Sequence, residues 1–272
     1  MSVALSGLAP AANDRLGWYE EPLPKGLERG EEHGEYIWEK DSSIMVYIPP
    51  GPFLMGSEEG PEHERPVHEV HLDGYYIDKY EVSWRRWKLS GFPYAEYQFS
   101  RMVYPEAQDW GILDDHPVMA VSWIWAQKYA EWAGKSLPSE AQWEKAARGT
   151  DGRRYPWGNQ PPTFDRVLWK EHPLAKKKAA AVDCCPAGTS PYGVFNMAGN
   201  AYEWCLDYFS KDYYSRSPKR NPVNLEPGKY RVLRGGAFVL DKEDLRSALR
   251  YRLREDDRAP YIGFRLVLPG AE

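Results

Sequence analysis

From residue 150 onwards this chain contains no long segment with helical periodicity, and that feature restricts its possible folds more than any other. In place of helices stand clusters that combine proline, glycine and asparagine with aromatic residues: YPWGNQPP, PYGVFNMAGNAYEW, YRVLRGGAF and YIGFRLVL. The 272 residues include 12 Trp, 19 Tyr and 8 Phe, whereas disordered segments are poor in aromatic residues. Loops of this length in a compact domain are usually functional. We therefore expect long ordered loops that buried aromatic side chains hold in place.

Short regular elements are predicted mainly before residue 150, which gives the chain an α+β pattern with a small antiparallel sheet. Apolar or alternating runs between turn residues predict strands at Ile44–Ile48, Phe53–Met55, Val67–Leu72 and Gly74–Tyr80. Three short helices are predicted by their capping residues, which are Ser83, Ser122 with Gly134, and Ser139 with Gln142 and Gly149. Residues 1–40 are rich in Glu, Gly and Pro, so we expect an irregular N-terminal arm followed by one domain over residues 41–272.

Charge and hydropathy exclude two classes of partner. The formal net charge of -5 is opposite to the basic surface on which nucleic-acid binding depends. No apolar run approaches the roughly 18 residues that a membrane-spanning helix requires. The N-terminus lacks a basic region followed by an apolar core, so no secretory signal is predicted. The three cysteines, two of them adjacent, imply no disulfide framework and favour a cytoplasmic location.

Nine motifs occur along the chain in an order that resembles the formylglycine-generating enzyme or sulfatase-modifying-factor family. They are GPFLMGS, ERPVHEVHLDGYYIDKYEVS, HPVMAVSW, SLPSEAQWEKAARG, YPWG, YGVFNMAGNAYEW, RVLRGGAF, RSALRYR and IGFRL. Together they extend from Ile44 to Leu268, which is nearly the whole chain apart from the N-terminal arm. The resemblance implies a C-type-lectin-like α+β fold with a small twisted antiparallel sheet, two or three short helices and long ordered loops.

The chain departs from this family at the centre of its chemistry. Members that produce formylglycine carry two cysteines after an RGGS-like turn, and these cysteines bind copper(I) and attack the substrate cysteine. The corresponding positions here are Leu240 and Leu245, with Asp241 in place of the intervening histidine and Ala237 in place of the serine. Because copper(I) selects soft thiolate ligands, we expect neither a copper site nor a copper-dependent formylglycine-generating oxidase. The chain resembles the cysteine-less branch of the family.

The resemblance also implies a structural calcium site in the motif FNMAGNAYEW. Its ligands would be the side chain of Asn196, the backbone carbonyls of Gly199 and Ala201, and the carboxylate of Glu203. Oxygen ligands of this kind are those that Ca²⁺ prefers. In the alternative interpretation, Asn196 and Glu203 only tie the loop together through hydrogen bonds.

The charged stretch between Phe238 and Arg258 occupies the place where relatives carry catalytic or variable ligand-contacting residues. We expect this loop and its aromatic neighbours to line the main concave face, because loops anchored by strands carry function on a rigid base. The predicted ligand-binding residues are Trp157, Phe238, Asp241, Asp244, Arg250, Tyr251 and Tyr261. The alternative is a solvated loop without a ligand.

Four arginines fall inside the family motifs, and bidentate pairs with carboxylates such as Asp207 or Glu203 are their expected structural role. They are Arg234, Arg246, Arg250 and Arg265. Cys205, inside AYEWCLDYF, is predicted to be a small buried apolar residue.

Two functions remain open for this sequence. The first is a non-catalytic binding or accessory module that presents its C-terminal loop surface to a protein or a small-molecule ligand. The loss of both cysteines favours it, and no catalytic residue is assigned. The alternative is an oxidoreductase of the cysteine-less branch that acts on a peptide or siderophore-like substrate, which the preserved scaffold motifs favour. The fold alone does not distinguish the two.

Overall fold

The computed structural model describes residues 16–93, 113–175 and 178–271, and the elements in these segments form an α+β arrangement. The strands are β1 (Leu27–Arg29), β2 (Glu35–Trp38), β3 (Ser43–Ile48), β4 (Gly51–Met55), β5 (His68–Leu72), β6 (Tyr75–Asp78), β7 (Tyr202–Tyr208), β8 (Arg231–Arg234), β9 (Tyr251–Leu253), β10 (Ile262–Gly263) and β11 (Val267–Pro269). The helices are α1 (Trp84–Leu89), α2 (Trp123–Ala133), α3 (Glu140–Arg148) and α4 (Tyr213–Arg216). After α3 the described residues contain one single-turn α-helix, α4, and two short 3-10 turns, which agrees with the lack of helical periodicity in the sequence.

The strands form two sheets and a hairpin. The larger sheet has the order β1-β2-β3-β6-β11 and is antiparallel throughout. The second sheet has the order β10-β7-β8-β9, and in it β10 and β7 run parallel. Strands β4 and β5 pair as an antiparallel hairpin in which Leu54 lies opposite Glu69. These sheets and the short helices confirm the predicted α+β class.

The prediction of an irregular arm over residues 1–40 is wrong where β1 and β2 extend the larger sheet. In β2 the alternate residues Tyr36 and Trp38 are buried, so this short strand has an apolar face. The indole nitrogen of Trp38 also donates to the carbonyl oxygen of Ala133 at 2.7 Å, which joins the strand to the end of α2. Residues 1–15 of the predicted arm lie outside the described residues.

The three predicted helices and their caps are confirmed. The hydroxyl of Ser122 accepts from the backbone N–H of Trp125 at the start of α2, and Gly134 ends that helix in the left-handed conformation. At α3, Ser139 accepts from the N–H of Gln142 at 3.1 Å, and the Gln142 side chain accepts from the N–H of Ser139 at 2.9 Å. Among the described residues, no helix has the length and apolar composition that crossing a membrane requires.

Aromatic side chains hold the loops against the sheets, as the sequence predicted. The indole of Trp204 on β7 donates to the carbonyl of Val121 at 2.8 Å, and the indole of Trp123 donates to the carbonyl of Cys205 at 2.8 Å. Between α1 and α2, the rings of Trp87 and Tyr129 stack at 5.5 Å. Two hydrogen bonds therefore fix the start of α2 and the segment before it to β7.

Candidate functional site

The position that carries the two thiols in formylglycine-producing relatives is filled by apolar packing. Leu245 is completely buried, in a cluster that includes Tyr155 and Trp169. Leu240 is half-buried, and side chains of both leucines line the turn at Gly236, where an added Cβ would meet them at 3.4 and 3.6 Å. Leucine side chains offer no electron pair to a metal ion. No copper chemistry is available at these two positions.

The two predicted calcium ligands that are side chains, Glu203 and Asn196, already have hydrogen-bond partners within the protein. Both carboxylate oxygens of Glu203 accept hydrogen bonds from Arg265 at 2.7 Å, and one of them also accepts from the indole of Trp143 at 2.7 Å. Asn196 directs its amide nitrogen at Glu81, and its amide oxygen accepts from the thiol of Cys184. These contacts fit the alternative interpretation, in which the side chains tie the loop together. The calcium site stays a prediction, and nothing below depends on it.

Glu81 lies in the same buried cluster. Its two oxygens accept from the side-chain amides of Asn196 at 2.9 Å and Asn200 at 2.8 Å. Burial raises the pKa of Glu81 to about 8, and the nearby positive charge of Arg265 offsets only part of that effect. Burial therefore favours the protonated form of the Glu81 carboxyl.

Arg250 was predicted to contact a ligand, and the structure corrects this. Its guanidinium donates to the Glu140 carboxylate at 2.6 and 2.8 Å and to the carbonyl oxygen of His63 at 2.6 Å. The residue is only 3% exposed, and Arg234 shares Glu140 with it while also pairing with Glu144 at 2.5 Å. Because its partners are internal and charge-assisted, Arg250 fixes the C-terminal loop to α3.

The structural pairing predicted for the other motif arginines is confirmed, with one change of partner. Arg265 pairs with Glu203 as expected, and Arg246 pairs bidentately with Glu64 at 2.6 and 3.0 Å. Asp207 instead accepts from two backbone N–H groups, those of Glu140 at 2.7 Å and Asn224 at 2.8 Å. Burial raises the pKa of Asp207 to about 7.

The other predicted ligand-binding residues divide by exposure. Asp241, Asp244 and Tyr251 are exposed, and Asp241 pairs with Lys170 at 3.0 Å. Trp157 and Tyr261 are half-buried, with Trp157 stacked on Tyr155. Phe238, only 1% exposed, is part of the interior, because it packs in an apolar cluster with residues such as Met119 and Leu168.

A cleft of about 530 Å³ lies beside this loop, between the β4–β5 hairpin, the residues that follow α3 and the C-terminal loop. One wall carries two exposed apolar side chains, Leu54 and Val67, which are 48% and 37% exposed. A polar rim of the cleft carries Arg154, which pairs with Glu59 at 3.0 Å. The cleft lining is completed by Gly56, Ser57, Glu58, Arg148, Gly152, Asn159, Arg246 and Ala248.

The base of the cleft is held rigidly by buried charges. Arg148 donates to the carbonyl oxygens of Gly56 and Gly152 at 2.7 Å and to Glu144 at 2.8 Å. Glu144 in turn accepts from the backbone N–H of Gly56 at 2.8 Å, and the positive charges of Arg234 and Arg148 keep its pKa low despite burial. The hairpin and the loop after α3 are therefore fixed to the same helix.

None of the seven predicted ligand-binding residues lines this cleft, although Arg246 and Ala248 of the predicted loop do. The residues that sequence reasoning missed are Leu54, Val67 and Arg154. One signal was present, because exposed Leu54 stands between the buried residues Phe53 and Met55 in strand alternation. The described residues contain no group of three His, Cys, Asp or Glu side chains that could hold a metal ion.

Comparisons with known proteins agree with this architecture. Residues 37–269 match the model of the sulfatase-modifying factor enzyme 1-like domain. The chain is 35% identical to a formylglycine-generating enzyme from Thermomonospora curvata, over 81% of this chain and 92% of that protein. It is also 35% identical to the serine/threonine-protein kinase pkn1 of Chlamydia caviae, over 91% of this chain, but it spans only 43% of that protein's length.

The fold is also found in a solved structure. PvdO from Pseudomonas aeruginosa superimposes with a TM-score of 0.72, at 21% identity, over 88% of this chain and all of PvdO. This match confirms the fold that the nine motifs predicted.

Proposed function

Because the chain belongs to the sulfatase-modifying factor enzyme 1-like family but has leucines where formylglycine-producing members have thiols, we propose that it is a binding module. Its ligand is an extended peptide segment of a partner protein, held in the cleft beside Leu54 and Val67. The observation that carries this proposal is the pairing of an exposed apolar wall with a polar rim in a cleft of about 530 Å³.

The apolar wall supplies the affinity in this proposal. Leu54 and Val67 expose 48% and 37% of their surfaces to water. A ligand that covers them removes apolar surface from water, which favours binding. Exposed apolar side chains that share one concave surface are typical of interaction sites, whereas single scattered ones are normal. A ligand side chain of moderate size would contact both residues.

The polar rim supplies orientation. The ion pair of Arg154 and Glu59 is exposed on both sides, and such pairs contribute little to stability, so either side chain is able to turn towards a ligand. Arginine donors and carboxylate acceptors match the carbonyl and N–H groups of an extended backbone. Arg246, which also lines the cleft, extends the polar rim into the C-terminal loop.

The rigid base lowers the entropic cost of binding. Arg148 and Glu144 fix the hairpin beneath the cleft, while the bidentate pair of Arg246 and Glu64 fixes the C-terminal loop beside it. A site that is already ordered does not have to be ordered by its ligand.

The test is a selection of displayed random peptides on the immobilised chain. We expect enriched peptides whose affinity falls about tenfold in Leu54→Asp and Val67→Asp, because a buried leucine or valine contributes about 1.5 kcal/mol or more. Leu225→Asp is the matched control, since Leu225 is 58% exposed and lies outside the cleft lining. Failure to enrich peptides, or equal binding by all three variants, would refute the proposal.

The non-oxidase part of the proposal has its own test. A peptide with the sulfatase-type sequence CxPxR, incubated with the chain, copper(I) and air, should keep its cysteine unchanged. Leu240 and Leu245 provide no thiolate for copper or for attack on the substrate. Mass-spectrometric detection of formylglycine in that peptide would contradict it.

A second candidate function is an oxidation on the same scaffold, favoured by the 35% identity to a formylglycine-generating enzyme. It would act on a peptide without the copper-thiolate pair. The peptides recovered from the selection distinguish the two candidates. If the chain only binds these peptides, their mass stays unchanged after incubation with the chain in air. If the chain is an oxidoreductase, the peptides gain oxygen or lose hydrogen.

A further inference from the structure

A second cleft, of about 340 Å³, lies beside the turn that joins β1 to β2 and shares no lining residue with the first cleft. Its lining combines aromatic rings with charged groups, which are Tyr19, Tyr47, Tyr192, Glu32, Glu35 and Lys79. Gly34 lies in the turn with a φ of 89°, and a Cβ added there would meet the Tyr19 hydroxyl at 3.1 Å. The glycine therefore lets the Tyr19 side chain lie directly on the turn.

The aromatic face of this second cleft is held in place and reaches solvent. Tyr19 is 57% exposed, and its ring lies 6.2 Å from that of Tyr47 at an angle of 27°. Tyr47 is half-buried and packs against Tyr76 on β6 at 5.0 Å. The backbone N–H of Tyr19 donates to the Glu21 carboxylate at 2.9 Å, and the Tyr76 hydroxyl donates to the same carboxylate at 3.0 Å. Because the faces of aromatic rings carry negative partial charge, these ordered rings attract a cation.

The charged groups around the rings also favour a cation. Lys79 pairs with Glu35, so these two opposite charges compensate each other. Glu32 is exposed in the turn, and in the described part of the chain no lysine or arginine pairs with it. Burial raises the pKa of Tyr47, and the negative charge of Glu21 adds to this effect, so the Glu21 carboxylate also acts on the second cleft. The second cleft therefore combines aromatic faces with uncompensated negative charge.

An internal arginine shows how this protein arranges the same groups around a cation. The guanidinium of Arg231 lies between the rings of Trp123 and Tyr208, 3.6 and 3.5 Å from their centres. It also contacts the Glu255 carboxylate at 3.3 Å. A planar guanidinium stacks on aromatic rings while it donates to a carboxylate, whereas a lysine ammonium is a compact and more strongly hydrated charge. None of the described residues that line the second cleft is an arginine.

From this combination of rings, carboxylate and open cleft we propose that the second cleft binds an arginine side chain of a partner protein. The guanidinium stacks on Tyr19 and Tyr47, and its N–H groups donate to Glu32. The aliphatic part of the arginine packs against Pro191 and Tyr192, which also line the second cleft. The site does not overlap the first cleft, so it stands whether or not the function proposed above is correct.

The test is a ligand-observed NMR titration of the full chain with the peptide acetyl-Gly-Arg-Gly-amide at low salt. A matched peptide contains citrulline in place of arginine, which keeps the shape and removes the charge. We expect saturable binding of the arginine peptide and about fivefold weaker binding of the citrulline peptide, because the attraction to the rings and to Glu32 needs the charge. Equal affinities for the two peptides, or no binding of the arginine peptide, would overturn the proposal.

Variants of the chain locate the bound peptide. Tyr19→Leu should lower the affinity about fivefold and Glu32→Gln about threefold, whereas Tyr19→Phe keeps the ring and should retain the affinity. The control is Phe164→Leu, because Phe164 is 49% exposed and lies outside the lining of the second cleft. Circular dichroism spectra verify that each variant is folded. Unchanged affinity in Tyr19→Leu, or the same loss in Phe164→Leu, would show that the peptide does not bind in the second cleft.

Discussion

Glu203 and Arg265 form a buried ion pair in which both carboxylate oxygens accept hydrogen bonds from the guanidinium. Arg265 also donates to the carbonyl oxygens of Phe195 and Lys79, so the pair connects β7, β6 and the loop between them. Removing one partner of such a pair leaves the other charge buried without compensation. At the scale of single residues, this pairing gives Glu203 a structural role that does not require calcium.

We expect Glu203→Gln to lower the free energy of unfolding by about 3–5 kcal/mol, because Arg265 would lose its charged partner. Urea denaturation followed by tryptophan fluorescence measures this loss, with calcium and with EGTA. The loss should be the same in both buffers. If EGTA destabilises the wild-type protein to the level of the variant, Glu203 is a calcium ligand instead.

The control for this measurement is Glu58→Gln. Glu58 is 63% exposed in its side chain and lies 3.8 Å from Arg65, so the change should alter the free energy of unfolding by less than about 1 kcal/mol. A similar loss in both variants would indicate a general effect of charge rather than the buried pair.

At the scale of elements, α3 is the part on which the site is assembled. One face of this nine-residue helix carries Glu140, Glu144 and Arg148, which hold the C-terminal loop and the β4–β5 hairpin. Its side chains also reach β7, since Trp143 donates to Glu203. A helix this short depends on its cap and on tertiary packing, because isolated helices of such length are marginal in water.

We expect Ser139→Ala to lower the free energy of unfolding by about 1 kcal/mol, because the hydroxyl satisfies an otherwise unpaired N–H of the first turn. Equilibrium urea denaturation measures the change. Thr150→Ala, at an exposed position just after the helix, should stay within about 0.5 kcal/mol of the wild type. Equal effects in the two variants would show that the cap does not stabilise α3.

At the scale of the whole molecule, two buried carboxyl groups set the pH dependence of stability. Burial raises the pKa of Glu81 to about 8 and that of Asp207 to about 7. At these two groups the folded state therefore binds more protons than the unfolded state, and their contribution to stability falls as the pH rises from about 4.5 to about 8. His63, whose pKa burial lowers, gives a smaller opposite slope below pH 6.5.

At acid pH, stability changes with pH in the opposite direction, because it increases as the pH rises. Arg86 and Lys135 lower the pKa of Asp41 although its burial acts against them. Stability from Asp41 is present above its unfolded pKa of 3.8 and is lost as the pH falls below about 4. The two effects together predict a maximum of stability near pH 5.

Melting temperatures measured from pH 4 to pH 9 test this prediction. They should peak near pH 5 and decline towards pH 8, and Glu81→Gln should reduce the decline because it removes one of the two titrations. Glu69→Gln, at an exposed position on β5, is the control and should leave the shape of the curve unchanged. A wild-type melting temperature that rises from pH 5 to pH 8 would contradict the assignment.

The sequence by itself determined the features that depend on near neighbours along the chain. Ser122, Gly134 and Ser139 predicted the ends of α2 and α3 because caps act within one helical turn. Leu240 and Leu245, which stand where relatives carry two thiols, predict that these positions do not bind copper, because metal affinity depends on the chemical identity of the ligand atoms. The order of the nine motifs predicted the fold through the family resemblance that they carry.

Only the tertiary structure decided which groups meet across long separations. It paired Arg250 with Glu140, buried Phe238, and joined β1 and β2 to the larger sheet through Tyr36 and Trp38. It also built the cleft from Leu54, Val67, Arg154 and Arg246, which lie on separate segments. Such contacts depend on the packing of the whole chain, and residue type alone does not distinguish a buried arginine from one that faces a ligand.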